Sequence, residues 1–87
     1  MKEYTSKDLS EAFNNSSIKA LSEIAECSAV TLSNIFKKNN KIKQETKEDI
    51  AYYLKRESER LYKEDVAKIC EKHRERIKII NYILYGR

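Results

Sequence analysis

The sequence has no proline and no tryptophan, and Gly86 is the one glycine among its 87 residues. An all-β domain needs turn-forming residues in number, so this composition argues against one. The chain is also too short for a nucleotide-binding α/β fold, a barrel or a sandwich, and has room for one small domain. Charged residues make up 37% of it, and together with common Ile, Leu, Ala, Lys and Glu they predict an all-α fold.

Cysteine and histidine are nearly as rare, with only Cys27, Cys70 and His73. Cys70 and His73 would share a helix face, but they supply two ligands where a structural zinc site uses four. We therefore expect no metal and no cofactor, and we interpret both cysteines as small buried residues of a reduced compartment. Without an apolar run of about 18 residues or a signal peptide, the chain is predicted to be cytoplasmic, with no membrane partner.

Catalytic patterns are also missing. The sequence has no glycine-rich phosphate loop and no paired-carboxylate motif, and His73 has no nucleophile arranged around it. A core this small cannot shape a deep cleft, so we predict that the protein is not an enzyme.

The net charge of +4 is modest, but it is unevenly placed. Residues 29–47 contain five lysines and one glutamate, and residues 66–87 contain six basic and two acidic side chains. Residues 1–28 and 48–65 are each net acidic, with a charge of −2. A local basic surface is what binding to a polyanion requires, although a solvated lysine-rich face would have the same composition.

Serine and threonine caps followed by apolar residues at helical spacing predict where the helices begin. One helix is expected after Thr5 or Ser6, a second after Ser16 or Ser17, a third after Ser28 and a fourth near Thr46. The last third of the chain has no obvious break before Gly86, which is placed to end the last helix.

The third predicted helix has an unusual exposed face. Leu32, Ile35 and Phe36 point inward, which leaves a small polar surface followed by lysines on the other side. Two helices joined by a tight turn, the second with a small polar face, form the layout of a helix-turn-helix. The major groove of DNA is about 12 Å wide and admits such a helix, while lysines just beyond it can reach phosphates.

Residues 20–50 resemble, without a gap, the DNA-binding headpiece of the lac-repressor family. The matching elements are Cys27-Ser28, Thr31-Leu32-Ser33, Lys38-Asn39-Asn40, Ile42-Lys43 and Thr46-Lys47-Glu48. The resemblance implies that Ser28 and Thr31 bond phosphates, that Ala29, Val30 and Asn34 read base edges, and that Lys41, Lys43 and Thr46 touch the DNA backbone. The whole predicted DNA-binding set is Ser28, Ala29, Val30, Thr31, Ser33, Asn34, Lys37, Lys38, Asn39, Lys41, Lys43 and Thr46.

The chain departs from the family pattern at several positions. Glu26 stands where the family usually has the turn glycine, so we expect the turn to close without a left-handed residue or to differ in shape. Ala29 and Val30 cannot make bidentate hydrogen bonds, so readout would depend on thymine methyl contacts and on Asn34. The family's hinge and sugar-sensing domain are missing, so no small-molecule effector is implied.

From residue 66 onward, apolar positions recur at alternating spacings of four and three, a heptad-like stripe. Its members are Val66, Cys70, His73, Ile77, Ile80 and Leu84. We interpret this stripe as a dimerisation surface, although one so short could equally pack on the chain's own helices. The basic side chains outside it leave a second DNA-contacting or protein-binding surface open; they are Lys68, Lys72, Arg74, Arg76 and Lys78.

These patterns divide the chain into a helix-turn-helix domain with an extra N-terminal helix (1–57) and a C-terminal dimerisation or interaction segment (58–87). They predict a nucleoid-associated homodimer that binds repeated half-sites in double-stranded DNA, acting as a small bacterial, plasmid or phage repressor or autoregulator. Two alternatives stay open. One is a centromere-binding adaptor for plasmid partition, and the other is a protein-interaction module such as an antitoxin, which would bind a protein partner through its C-terminal helix.

Overall fold

The computed structural model describes residues 3–64 and 70–86, and of Glu64 and Cys70 it describes the backbone alone. Within these ranges all regular structure is helical, so the predicted all-α fold is confirmed. The five helices are α1 (Ser6–Ala12), α2 (Ile18–Ile24), α3 (Ala29–Asn34), α4 (Gln44–Glu64) and α5 (Cys70–Tyr85).

Helices α1, α2 and α3 begin at capping residues that the sequence predicts. Thr5 accepts a hydrogen bond from the Asp8 backbone N–H, and the Asp8 carboxylate accepts one from the Thr5 N–H, which completes a capping box. Ser17 accepts from the Ala20 N–H at the start of α2, and Ser28 caps α3 in the same way. Because these bonds satisfy donors that a first turn leaves free, even helices of six or seven residues have defined starts.

The turn between α2 and α3 closes through a left-handed residue, contrary to expectation. Glu26 has a φ of 55°, the conformation in which a helix-ending residue is usually glycine. The Cys27 N–H donates to the Ser22 carbonyl at 2.9 Å, and the Glu26 N–H donates to the Glu23 carbonyl at 3.2 Å. This pair of bonds is a Schellman motif, so the turn keeps a standard helix-ending geometry at the energetic cost of a left-handed glutamate.

Helices α4 and α5 run antiparallel. The Gln44 side chain at the start of α4 donates to the Leu84 carbonyl near the end of α5 at 2.9 Å, and Ser58 hydrogen-bonds His73 farther along the pair. The expectation that the last third of the chain has no break before Gly86 is therefore wrong, because α4 and α5 point in opposite directions. Gly86 does follow the last helix as predicted, with a φ of 71°.

A single core joins all five helices. Its buried apolar side chains are Tyr4, Leu9, Ala12, Phe13, Leu21, Ala25, Leu32, Ile35, Ile50, Ala51, Leu54, Leu61, Ile79, Ile80 and Ile83. The division predicted after residue 57 falls inside α4. Helix α5 packs against both α4 and α1, so it completes the same core as the helices that precede it.

Arg76 has no exposed surface, although the sequence placed it on an outer basic face; that expectation is wrong. Its Nε donates to the Ala12 carbonyl at 2.6 Å, and its Nη2 donates to Asn14 Oδ1 at 3.3 Å. The guanidinium also lies over the Phe13 ring, 5.7 Å from the ring centre. Because the last carbonyls of a helix have no partner within it, Arg76 caps α1 from the opposite end of the chain.

We expect Arg76→Met to lower the free energy of unfolding by about 2–4 kcal/mol, because it leaves a buried carbonyl at the end of α1 without its donor. Urea denaturation followed by circular dichroism measures the change. Arg74→Met is the matched control on the exposed side of α5 and should change stability by less than about 0.5 kcal/mol. Equal effects of the two substitutions would show that the capping role is wrong.

We expect Glu26→Gly to raise the free energy of unfolding by about 1 kcal/mol, because glycine adopts the left-handed conformation without steric cost. Glu23→Gly, in the exposed middle of α2, should lower it by about the same amount. Thermal or urea denaturation of the two variants gives the comparison. If Glu26→Gly instead lowers the free energy of unfolding, the Glu26 side chain stabilises the fold by more than the left-handed backbone destabilises it.

Candidate nucleic-acid interface

The start of α3 presents two hydroxyl groups together. Ser28 Oγ accepts from the Thr31 backbone N–H at 3.0 Å and lies 2.8 Å from Thr31 Oγ1. In a hydroxyl pair only one proton is used between the two oxygens, so the other remains available to an external acceptor. The two predicted phosphate contacts therefore form one small donor site at the beginning of the helix.

The faces of α3 are divided as the sequence predicts. Leu32 is fully buried, and Ile35 is nearly so. Val30 is 69% exposed, while Ala29, Ser33 and Asn34 are half-buried. Val30 is thus the most prominent apolar side chain on the outer surface of α3, and small or polar side chains surround it.

A basic loop follows α3 and forms an open concavity of about 680 Å³. Its lining residues, which we call the basic concavity, are Asn34, Lys37, Lys38, Asn39, Asn40, Lys41 and Ile42. The three lysines are exposed, whereas Ile42 packs against the core. Since Asn34 belongs to both α3 and the concavity, the lysine-rich loop continues the outer surface of the helix without a gap.

Asn40 shapes this loop, a role that the sequence did not predict. Its Nδ2 donates to the carbonyls of Ile35 and Lys37, and its Oδ1 accepts from the Ile42 N–H. The last bond is an Asx turn, which explains why an asparagine occupies the position. The Asn-Asn pair in the sequence indicates a turn, but it does not tell which of the two side chains braces the backbone.

Lys43 immediately precedes α4 and follows Ile42 of the basic concavity, and Thr46 lies in the first turn of α4. Lys43 is exposed and Thr46 is half-buried. The Gln44 bond to Leu84 fixes this end of α4 against α5, and Phe36 stacks on Tyr82 with ring centres 6.3 Å apart. Helix α5 therefore holds the loop on both of its sides.

Two acidic side chains lie close to this surface. Glu3 forms an ion pair with Lys38 at 3.1 Å, and both side chains are largely exposed. The nearby Glu26 carboxylate raises the pKa of Tyr53 above its ordinary value. Glu3 thus neutralises one lysine of the basic concavity, while Glu26 adds a negative charge at the turn before α3.

Cys27 lies half-buried behind the turn, and burial raises the pKa of its thiol. It is therefore a protonated, poorly reactive thiol at neutral pH, as its interpretation as a packing residue requires.

In the described ranges, no three histidine, cysteine or acidic side chains converge on a possible metal position. No described helix is both long enough and apolar enough to cross a bilayer.

The predicted dimerisation stripe is divided by the structure. Val66 and the side chain of Cys70 lie outside the described part of the chain. Ile80 is buried within the chain's own core. His73 faces α4, with its Nδ1 3.2 Å from Ser58 Oγ and its ring 4.5 Å from the Tyr62 ring.

Ile77 and Leu84, the two remaining members of the stripe, are partly buried against the core. The described part of the stripe therefore packs mainly within the chain, between α4 and α5, and only parts of it reach the surface.

Comparison of the chain with protein-family models, with curated protein sequences and with solved structures gives no significant match.

Proposed function

We propose that this chain is a sequence-specific DNA-binding protein that acts as a dimer on repeated half-sites. On this proposal α2 and α3 form the helix-turn-helix of a lac-repressor-type headpiece, and α3 enters the major groove. The biological role is that of a small bacterial, plasmid or phage repressor or autoregulator. A plasmid-partition adaptor would use the same DNA contact and is the alternative.

The main support is the continuity between α3 and the basic concavity. A helix with a small exposed face can enter the groove only if side chains beside it can meet the phosphates on the groove walls. Lys37, Lys38 and Lys41 line the surface that begins where α3 ends, and Lys43 extends it toward α4. The hydroxyls of Ser28 and Thr31 would supply a contact at the other end of the helix.

Base recognition would then depend on few groups. The Val30 side chain can contact the methyl group of thymine, and the Asn34 amide can pair with an adenine edge. The remaining discrimination would come from the shape and deformability of the DNA. Affinity would come mainly from electrostatics, since the only charged side chains in the proposed DNA-binding set are four lysines.

The strength of this electrostatic term can be calculated. If Lys37, Lys38, Lys41 and Lys43 each meet one phosphate, a dimer neutralises about eight charges, and log K against log salt has a slope of about −7. Selection of bound duplexes from random DNA, followed by titration at several salt concentrations, tests the whole proposal. A slope near zero, or no enriched sequence, would contradict it.

We expect Lys41→Glu combined with Lys43→Glu to weaken binding to all duplexes alike, because phosphate contacts carry no sequence information. Asn34→Ala should instead change which sequences are preferred, with a loss of about 1–3 kcal/mol at one base pair. Fluorescence anisotropy with the selected duplex and scrambled duplexes measures both effects. If neither substitution alters binding, the assigned surface is wrong.

We expect Glu3→Gln to strengthen DNA binding about two- to fivefold, because it removes a competing carboxylate from Lys38 and a negative charge near the phosphates. The same titration on one duplex gives the ratio of affinities. Glu11→Gln, on the exposed side of α1, is the matched control and should leave the affinity nearly unchanged. An unchanged affinity in Glu3→Gln would place Lys38 away from the DNA.

A further inference from the structure

A second surface lies between α4 and α5, away from α3 and the basic concavity. It is a shallow groove of about 390 Å³, which we call the α4–α5 groove, and its lining residues are Glu48, Ala51, Tyr52, Lys55, Ile77, Ile80, Asn81, Leu84 and Tyr85. Buried Ala51 and Ile80 form its floor. None of these residues belongs to the predicted DNA-binding set.

Two tyrosine side chains on this surface are largely exposed to solvent. Tyr52 is 58% exposed and Tyr85 is 68% exposed, one on each of the two helices. Ile77 and Leu84 lie between them and are only partly covered. Neighbouring exposed aromatic and aliphatic side chains on a small domain are typical of a protein-binding surface.

The charges along the groove have a specific order. Glu48 and Lys55 are seven residues apart on α4, which is two helical turns or about 10.5 Å, so both lie on the same side of the helix. Ala51 and Tyr52 lie midway between them. Among the described residues, neither Glu48 nor Lys55 has an ion-pair partner.

This order is self-complementary. A two-fold axis at Ala51 and Tyr52 would bring the same surface of another chain against the groove in the opposite direction. Glu48 of each copy would then face Lys55 of the other, and the interface would contain two opposite-charge pairs around a tyrosine-rich centre. A uniformly acidic or basic partner would meet an unfavourable charge at one end of the groove.

We propose that the α4–α5 groove is the dimer interface and that its occupant is a second copy of this chain. Helix α4 pairs antiparallel with its counterpart, and the exposed Tyr52 side chains lie at the crossing of the two helices. Ile77, Ile80 and Leu84 of the predicted stripe flank this contact, and α4 contributes the charges that set its direction. The inference deepens the proposed function and rests on it only for the use of the dimer on DNA.

The test is a pair of charge reversals measured in solution without DNA. Sedimentation velocity over a concentration series should show a monomer–dimer equilibrium for the wild-type chain. Glu48→Lys or Lys55→Glu alone places like charges opposite each other at both ends of the interface, and each should weaken dimerisation about tenfold. Mixing the two single variants should restore the wild-type affinity, because the heterodimer recovers both opposite-charge pairs.

The controls are Glu11→Lys and Lys7→Glu, which make the same charge changes on exposed positions of α1. They should leave the dimer unchanged, and restoration by mixing shows that the weakened variants are folded. A wild-type chain that is monomeric up to its solubility limit overturns the proposal. Equal dimerisation of all variants, or no restoration on mixing, overturns it as well.

Measurement with and without DNA separates this inference from the proposed function. A monomer that binds selected duplexes retains the DNA-binding surface and overturns the dimer interface. A dimer that obeys the charge-reversal pattern but binds no DNA supports the interface and contradicts the proposed function.

Discussion

The contact between Arg76 and the end of α1 holds the first and last helices of this small domain together. A guanidinium with no exposed surface donates to the Ala12 carbonyl and to Asn14, and Lys72 donates to the same Asn14 oxygen at 2.9 Å. Asn14 and Asn15 both have left-handed backbone conformations, which asparagine tolerates, and the Asn14 side chain links this turn to α5. Because burying a charge is costly unless it is hydrogen-bonded, α5 has little freedom to pack elsewhere.

The position of α5 in turn determines the geometry of the candidate DNA-binding surface. Tyr82 packs edge-on against Tyr4 and stacks on Phe36, and the Leu84 carbonyl receives the Gln44 side chain. These contacts hold the basic loop at both of its ends. The loop needs this support since its own bonds, apart from the Asn40 brace, are few.

The turn before α3 combines backbone strain with a negative charge. Glu26 takes a conformation that favours glycine, and its carboxylate raises the pKa of the nearby Tyr53. The same position places a negative charge beside a surface that would meet phosphates, which opposes the proposed function.

Several features could be predicted from the sequence because they depend on local chemistry. Caps at Thr5, Ser17 and Ser28, the inward face of α3 and the stop at Gly86 follow from hydrogen bonding and periodicity within a few residues. The exposed lysines after α3 follow in the same way, since a charged side chain seldom becomes buried without a partner. These features account for the all-α class and for the residues of the candidate surface, though not for what it binds.

Only the tertiary structure decided which long-range partners exist. Arg76 looks like any surface arginine in the sequence, because the Ala12 carbonyl that satisfies it lies 64 residues away. Likewise, a heptad-like stripe has the same sequence pattern whether it packs against another chain or against α4 of the same chain, since both offer an apolar surface. By itself the sequence determined the helices and their polar and apolar faces, because these are properties of neighbouring residues. The antiparallel packing of α4 and α5 decided which of those faces are covered and which remain open, because burial depends on residues far apart in the chain.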